Sequence, residues 1–113
     1  MSAKGTFAGY TELRRANPRD ANLGRADLTG ADLSAANLRG ANLTKTHLAG
    51  ASLRNADLRE VDAVSADFRD ADLADADLRG AELWAADLGG AVLAAAWDGA
   101  IRRYPRRYGV GPE

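Results

Sequence analysis

The 113-residue sequence has no cysteine and a single histidine. The first absence excludes a disulfide framework and a Cys-based zinc site. The second leaves His47 without another imidazole to share a metal. Aromatics are scarce, with two Phe, three Tyr and two Trp, so an ordinary globular core of mixed bulky side chains is not on offer. No apolar stretch reaches the length of a membrane span, and Met1 to Arg15 lacks the continuous apolar run of a secretory signal. A cytoplasmic protein with no membrane partner is the expectation. No nucleophile–base constellation and no phosphate-cradling glycine loop is present. Neither an enzyme nor a cofactor is expected.

What the chain does contain is a repeat. From Ala21 to Ala95 it divides without remainder into fifteen units of five residues: ANLGR, ADLTG, ADLSA, ANLRG, ANLTK, THLAG, ASLRN, ADLRE, VDAVS, ADFRD, ADLAD, ADLRG, AELWA, ADLGG and AVLAA. The first position is Ala except at Thr46 and Val61, and the third is Leu except at Ala63 and Phe68. The second is Asp in eight units and Asn in three.

A period of five excludes both regular structures in long form. On an α-helix, five residues advance about 500°, so successive leucines wind around every side and leave no apolar stripe. On a straight strand, leucines five apart point to opposite faces. A short extended step followed by a turn in each unit reconciles the pattern, with the Ala and the Leu inward and the other three positions facing water. Glycines at the fifth position (Gly30, Gly40, Gly50, Gly80 and Gly90) suit such corners, because glycine takes φ > 0 cheaply. The chain is thus a turning solenoid. Burial of each central Leu contributes about 1.5–3 kcal/mol, repeated along a thin column.

These units resemble the pentapeptide-repeat family, whose pattern is Ala, then Asp or Asn, then Leu, then two variable residues. The resemblance implies an all-β fold, a right-handed quadrilateral β-helix of about four coils with four units per coil. The domain expectation is an N-terminal cap with degenerate first units over 1–20, the β-helix over 21–95, and a C-terminal cap with a short helix and basic tail over 96–113. In the first segment Leu13 and Pro18 keep the central position, and Phe7 and Tyr10 are expected to cover the open end, which would otherwise invite edge-to-edge association.

With four units per coil, residues twenty apart stack about 4.8 Å apart. Arg19, Arg39, Arg59 and Arg79 then share one column, read either as a charge-compensated wall or as an anion-binding stripe. Asp27, His47, Asp67 and Asp87 share a second, and Asn22, Asn42, Asp62 and Glu82 a third. Carboxylates at this spacing imitate the sign of a phosphate row. Val64 and Trp84 stack as a small apolar patch on a polar wall, a composition enriched at interfaces. In the VDAVS unit, Val61 and the neighbouring Phe68 offset the volume missing at Ala63.

After Ala95 the frame fails. Trp97, Ile101, Tyr104 and Tyr108 recur at helical spacing, although Pro105 disfavours helix at Tyr104. Their apolar side is expected to close the column or to meet a second copy in a homodimer. Arg102, Arg103, Arg106 and Arg107 are read as complementing an acidic wall rather than as binding nucleic acid directly.

The functional expectation is a non-catalytic scaffold that acts on a protein partner through its surface. Candidate contacts are Arg39, Arg59, Arg79, Val64, Trp84, Asp67 and Asp87. The resemblance adds an alternative, since quinolone-resistance members of the family are thought to bind DNA gyrase by mimicking DNA. A third reading is an anion or nucleic-acid binder using the arginine column and basic tail.

Overall fold

The computed structural model describes residues 17–96. Every unit takes one extended step and one turn, so the ladder consists of isolated parallel bridges and not of continuous strands. Each bridge joins second-position residues twenty apart, as in Asn22 to Asn42, Asn42 to Asp62 and Asp62 to Glu82. A register of twenty with units of five makes four sides. Side 1 comprises 21–25, 41–45, 61–65 and 81–85, and sides 2, 3 and 4 follow in chain order. Asn17 to Asp20 already sit in register on side 4, with Pro18 buried at the central position and its carbonyl accepting from the Ala21 N–H at 2.9 Å.

Each position of the unit has its own hydrogen-bond assignment. The second-position N–H donates to the preceding coil, as Asn42 does to the Ala21 carbonyl. The third and fifth donate to the following coil, as Leu23 does to Asn42 and Arg25 to Thr44. The first closes the turn by donating three residues back, as Ala26 does to Leu23. These backbone bonds run from 2.7 to 3.3 Å. The fourth N–H is left over, and in the units whose second residue is Asp or Asn a side chain takes it. The second-position oxygen accepts it within the same unit: Asn22 from Gly24 at 3.1 Å, Asp57 from Arg59 at 3.1 Å, Asp72 from Ala74 at 3.1 Å. That local bond is an Asx turn, and it explains why the second position wants Asp or Asn.

The expectation that the three outer positions simply face water therefore needs correction at the second, which is partly buried in most units and bonded to its own backbone. The corner expectation also changes. Every fifth position is left-handed, including Arg25, Ala35, Lys45, Asn55, Glu60, Ser65 and Ala85 with φ between 56° and 63°. A positive φ at the third residue of a four-residue turn is the type II arrangement. Glycine relieves that corner but the fold does not demand it.

The first and third positions form one continuous core from Ala21 to Leu88, joined by Ala96. Val61, Ala63 and Phe68 are all buried in it, in keeping with exchanged volumes around the irregular unit. Thr46, at a position otherwise held by Ala or Val, is the buried polar side chain among the described residues, and its Oγ1 donates to the Leu23 carbonyl at 2.8 Å. Satisfied in this way, a hydroxyl is tolerated in an apolar column.

Candidate functional site

The bridge register turns the sequence into four walls with distinct chemistry. Side 4 carries the arginine column, and the rear of that column is self-neutralised. Arg59 grips Asp57 with a two-point fork, Nε to Oδ1 at 2.8 Å and Nη2 to Oδ2 at 2.6 Å, and its Nε lies 3.8 Å from Asp77. Arg79 grips Asp77 in the same manner, at 2.9 and 2.6 Å. On side 2, Arg69 holds Asp67 at 2.8 and 2.7 Å. Each fork comes from an Asp-x-Arg spacing within one unit, which directs both side chains out of the same step. The arginine hydrogen bond is the main cause that holds Asp57, Asp67 and Asp77 below the ordinary carboxylate range.

Elsewhere the clamps are looser. Arg39 follows Asn37 and reaches Glu60 instead, at 3.5 Å. Asp87 accepts the Gly89 N–H at 2.9 Å and stands 4.0 Å from Arg69 Nε. On side 3, Arg54 meets Asp72 at 3.1 Å. Asp72 is held low chiefly by the Ala74 N–H and then by that arginine.

Side 1 is built differently. Its front is an amide network: Asn42 Nδ2 donates to Asn22 Oδ1 at 3.1 Å, and Thr44 Oγ1 donates to Asn42 Oδ1 at 2.7 Å. Arg25 and Lys45 hold the adjoining corners. Two coils further on, the same positions read Asp62, Glu82, Ser65 and Ala85, and no Lys or Arg occurs in 61–65 or 81–85. In the column beside the two acids stand Val64, half-buried, and Trp84, 47% exposed. The large apolar side chains exposed among the described residues are Trp84 and Val92. Val92 is in the last unit of side 3.

The sequence placed Val64 beside Trp84 correctly in register, and it placed Asp62 and Glu82 in their own column. It did not join the two. The signal was present in the units VDAVS and AELWA, whose second and fourth side chains leave the same wall. Arg39, Arg59 and Arg79 share side 4, and Asp67 and Asp87 share side 2, so these candidates do not converge with the Val64–Trp84 pair. Trp97, Ile101, Tyr104 and Tyr108, like Phe7 and Tyr10, lie outside the described residues. Among the described residues no group of three His, Cys, Asp or Glu side chains is arranged to hold a metal ion.

A family model described as "Pentapeptide repeats (8 copies)" matches residues 8–40, 36–75 and 71–96. The chain belongs to the pentapeptide-repeat family. A pentapeptide-repeat protein from Nostoc Pcc 7120 is 38% identical over 74% of this chain and 75% of its own, with a TM-score of 0.59. The pentapeptide-repeat protein Rfr23 from the cyanobacterium Cyanothece 51142 is 32% identical, with a TM-score of 0.56. Here the match covers 72% of this chain and 58% of that one, so the chain spans little more than half of that relative's length. No protein of curated function matches the chain. The fold is the right-handed quadrilateral β-helix of these pentapeptide-repeat structures. Proteins of this family are in general structural or binding scaffolds.

Proposed function

We propose that this pentapeptide-repeat chain is a non-catalytic scaffold that binds a basic protein surface through the rear half of side 1. One observation carries the reading. Asn and Asp serve the Asx turn equally: Asn37 and Asp57, one coil apart on the same side, each accept the N–H at 3.1 Å. The fold is indifferent between them, yet residues 17–56 hold five basic and three acidic side chains, while 57–96 hold three and ten. A net of plus two faces a net of minus seven along one rod. A charge that folding does not require is available for recognition, where complementary potentials give specificity and speed of encounter.

The rear units of side 1 add Asp62 and Glu82 to this excess and contain no Lys or Arg, and the same wall exposes Trp84, an aromatic anchor of the kind that dominates interfaces. The test is fluorescence anisotropy with a labelled nona-arginine peptide. Asp62→Asn with Glu82→Gln should weaken binding about tenfold, one tenfold step being 1.4 kcal/mol, with unchanged melting. Asp57→Asn with Asp77→Asn removes the same charge from side 4 and should weaken it much less. Equal losses from the two walls would refute side 1 as the site.

The recurring carboxylates favour a second reading, a DNA mimic that binds DNA gyrase. It ranks below the first because Asp57, Asp67 and Asp77 are each neutralised by a forked arginine. Inhibition of gyrase supercoiling by the purified chain, relieved by Asp87→Lys, is its expected outcome. Undiminished supercoiling across a wide range of protein concentration would dispose of it.

A further inference from the structure

We propose that the front corner between sides 1 and 2, formed by Arg25 and Lys45, is a binding site for a phosphate monoester group. A contrast among the cations is the leading observation. The described residues hold seven arginines and one lysine. Six of the arginines have a carboxylate at 3.7 Å or closer, from the loose contact of Arg19 with Asp20 to the forks of Arg59, Arg69 and Arg79. Arg25 and Lys45 are exposed and, among the described residues, pair with none. They stand one coil apart in a single column, about 4.8 Å along the axis, so two like charges are stacked with no acid between them.

The fold does not ask for charge at this corner. Ser65 and Ala85 continue the same column with φ of 61° and 60°, against 63° at Arg25 and 56° at Lys45. The adjoining columns also give up acids at the same height. Asn22 and Asn42 stand where the rear coils hold Asp62 and Glu82, and His47 interrupts a column otherwise made of Asp27, Asp67 and Asp87. Asp27 remains beside the corner, but it accepts the Thr29 N–H at 3.1 Å and is held below the ordinary carboxylate range chiefly by the hydroxyl and N–H of Thr29. Asn42 Nδ2 commits one hydrogen to Asn22 Oδ1 at 3.1 Å, and an amide nitrogen carries two. Cations, amides and an imidazole thus meet where the rest of the rod places carboxylates.

A phosphate monoester fits this corner in charge and shape. It carries about −1.5 to −2 at neutral pH on three acceptor oxygens, so one group answers both cations, the guanidinium through a fork and the ammonium as a point charge. A carboxylate brings a single charge and leaves half of the pair unanswered. A nucleic-acid strand needs a longer basic track, and this column loses its charge at Ser65 and runs on toward the acidic coils. Free phosphorylated small molecules and phosphorylated side chains present the same group. The consequence is a rod that takes an anionic group at its front and a basic surface at its rear.

The test is a titration of the full, isotope-labelled chain with inorganic phosphate at constant ionic strength, followed through backbone amide shifts. Saturable shifts at Arg25, Thr44 and Lys45 are expected, with an affinity in the millimolar range. Arg25→Asn with Lys45→Asn should weaken binding about tenfold, as loss of charge-assisted hydrogen bonds does. Melting should be unchanged, because Asn55 already holds such a corner at φ 60°. Arg69→Gln with Arg79→Gln removes the same charge from forked arginines and should weaken binding by less than about twofold, since distant exposed charges are screened. Equal losses from the two pairs would overturn the proposal, as would shifts spread over every arginine column or a titration that never saturates. Acetate should bind about tenfold more weakly than phosphate, and equal affinity would overturn the assignment of a dianion. A short oligothymidylate that outbinds phosphate would overturn it in favour of a polyanion. A phosphoserine peptide that binds more tightly than phosphoserine itself would uphold the site and name a phosphorylated protein as the source, and equal affinities would uphold it with a small molecule as the source. None of these readouts involves the rear of side 1, so the nona-arginine experiment and this one fail separately.

Discussion

Asn22, Asn37 and Asn42 in the front two coils and Asp57, Asp62 and Asp77 in the rear two do the same work on the backbone. Their side-chain oxygens accept the fourth N–H of the unit at 2.9 to 3.3 Å throughout. Beyond that bond they diverge. Asn22 and Asn42 bond to each other and Asn42 to Thr44, whereas Asp57 and Asp77 recruit an arginine two residues on and Asp62, on side 1, stacks with Glu82 in the column beside Val64 and Trp84. Two requirements are therefore superimposed at one position. The fold asks for an oxygen at a set place, and the difference between amide and carboxylate remains free for electrostatics.

The core should not share this asymmetry. Phe68→Ala in the rear is expected to cost about 3–5 kcal/mol and Leu28→Ala in the front about 2–5 kcal/mol. Chemical denaturation of each should give a single transition. If one variant melts in two steps, the halves are separate cooperative units, and the contrast between them extends below the surface.

Corners give the next effect in size. A Cβ at Gly40, where φ is 73°, would collide with the Asp20 carboxylate, and one at Gly90 would collide with that of Asp70. At Gly50, with φ 67°, the space is open. Gly50→Ala should therefore cost only the left-handed penalty of about 1–2 kcal/mol, and Gly40→Ala and Gly90→Ala more than that. Urea midpoints would show it. Equal midpoints for the three variants would mean that the carboxylates of Asp20 and Asp70 swing aside without cost.

Acid should separate the halves most gently. Asp57, Asp67 and Asp77 have folded pKa values depressed by their arginines. Their contribution is present above the unfolded value near 4 and is lost as pH falls through the lower folded values. Thermal melts should hence be flat from pH 7 to about 5 and decline below about 4. Changing all three to Asn should flatten that decline while leaving the front coils as they were. An acid limb identical in the variant would mean that these forks contribute nothing to stability, as exposed ion pairs often do.

Much of this was legible before any coordinates. The inward Ala and Leu and the repacked unit around Phe68 follow from the frame, because a period of five admits only a turning chain, and the column membership of Arg59, Asp67 and Trp84 follows once the family resemblance supplies four units per coil. The role of Asp and Asn was harder to see. A sequence advertises their charge and polarity, while the Asx bond depends on an oxygen that both residues share, so the acids read as outward columns and their service to the backbone was hidden. The corners misled for a related reason: glycines at some fifth positions suggested a glycine rule, although Lys45, Asn55 and Glu60 hold the same left-handed φ. Whatever the fifth residue is, the turn bond three residues back sets its conformation. Sharing of a wall by Val64, Trp84, Asp62 and Glu82 required the register of the bridges to be stated explicitly.

Because every bridge spans twenty residues, a residue number in this protein works as a coordinate. Counting in twenties gives height along the axis, and the remainder gives a compass direction. Few folds allow a surface to be drafted on squared paper in this way. The boundary between the positive and negative ends falls between Ala56 and Asp57, and moving it by one storey takes exchanges between Asn and Asp at four known addresses. The rod is in that sense an instrument with a sliding electrostatic scale, on which a partner's preferred height could be read by synthesis.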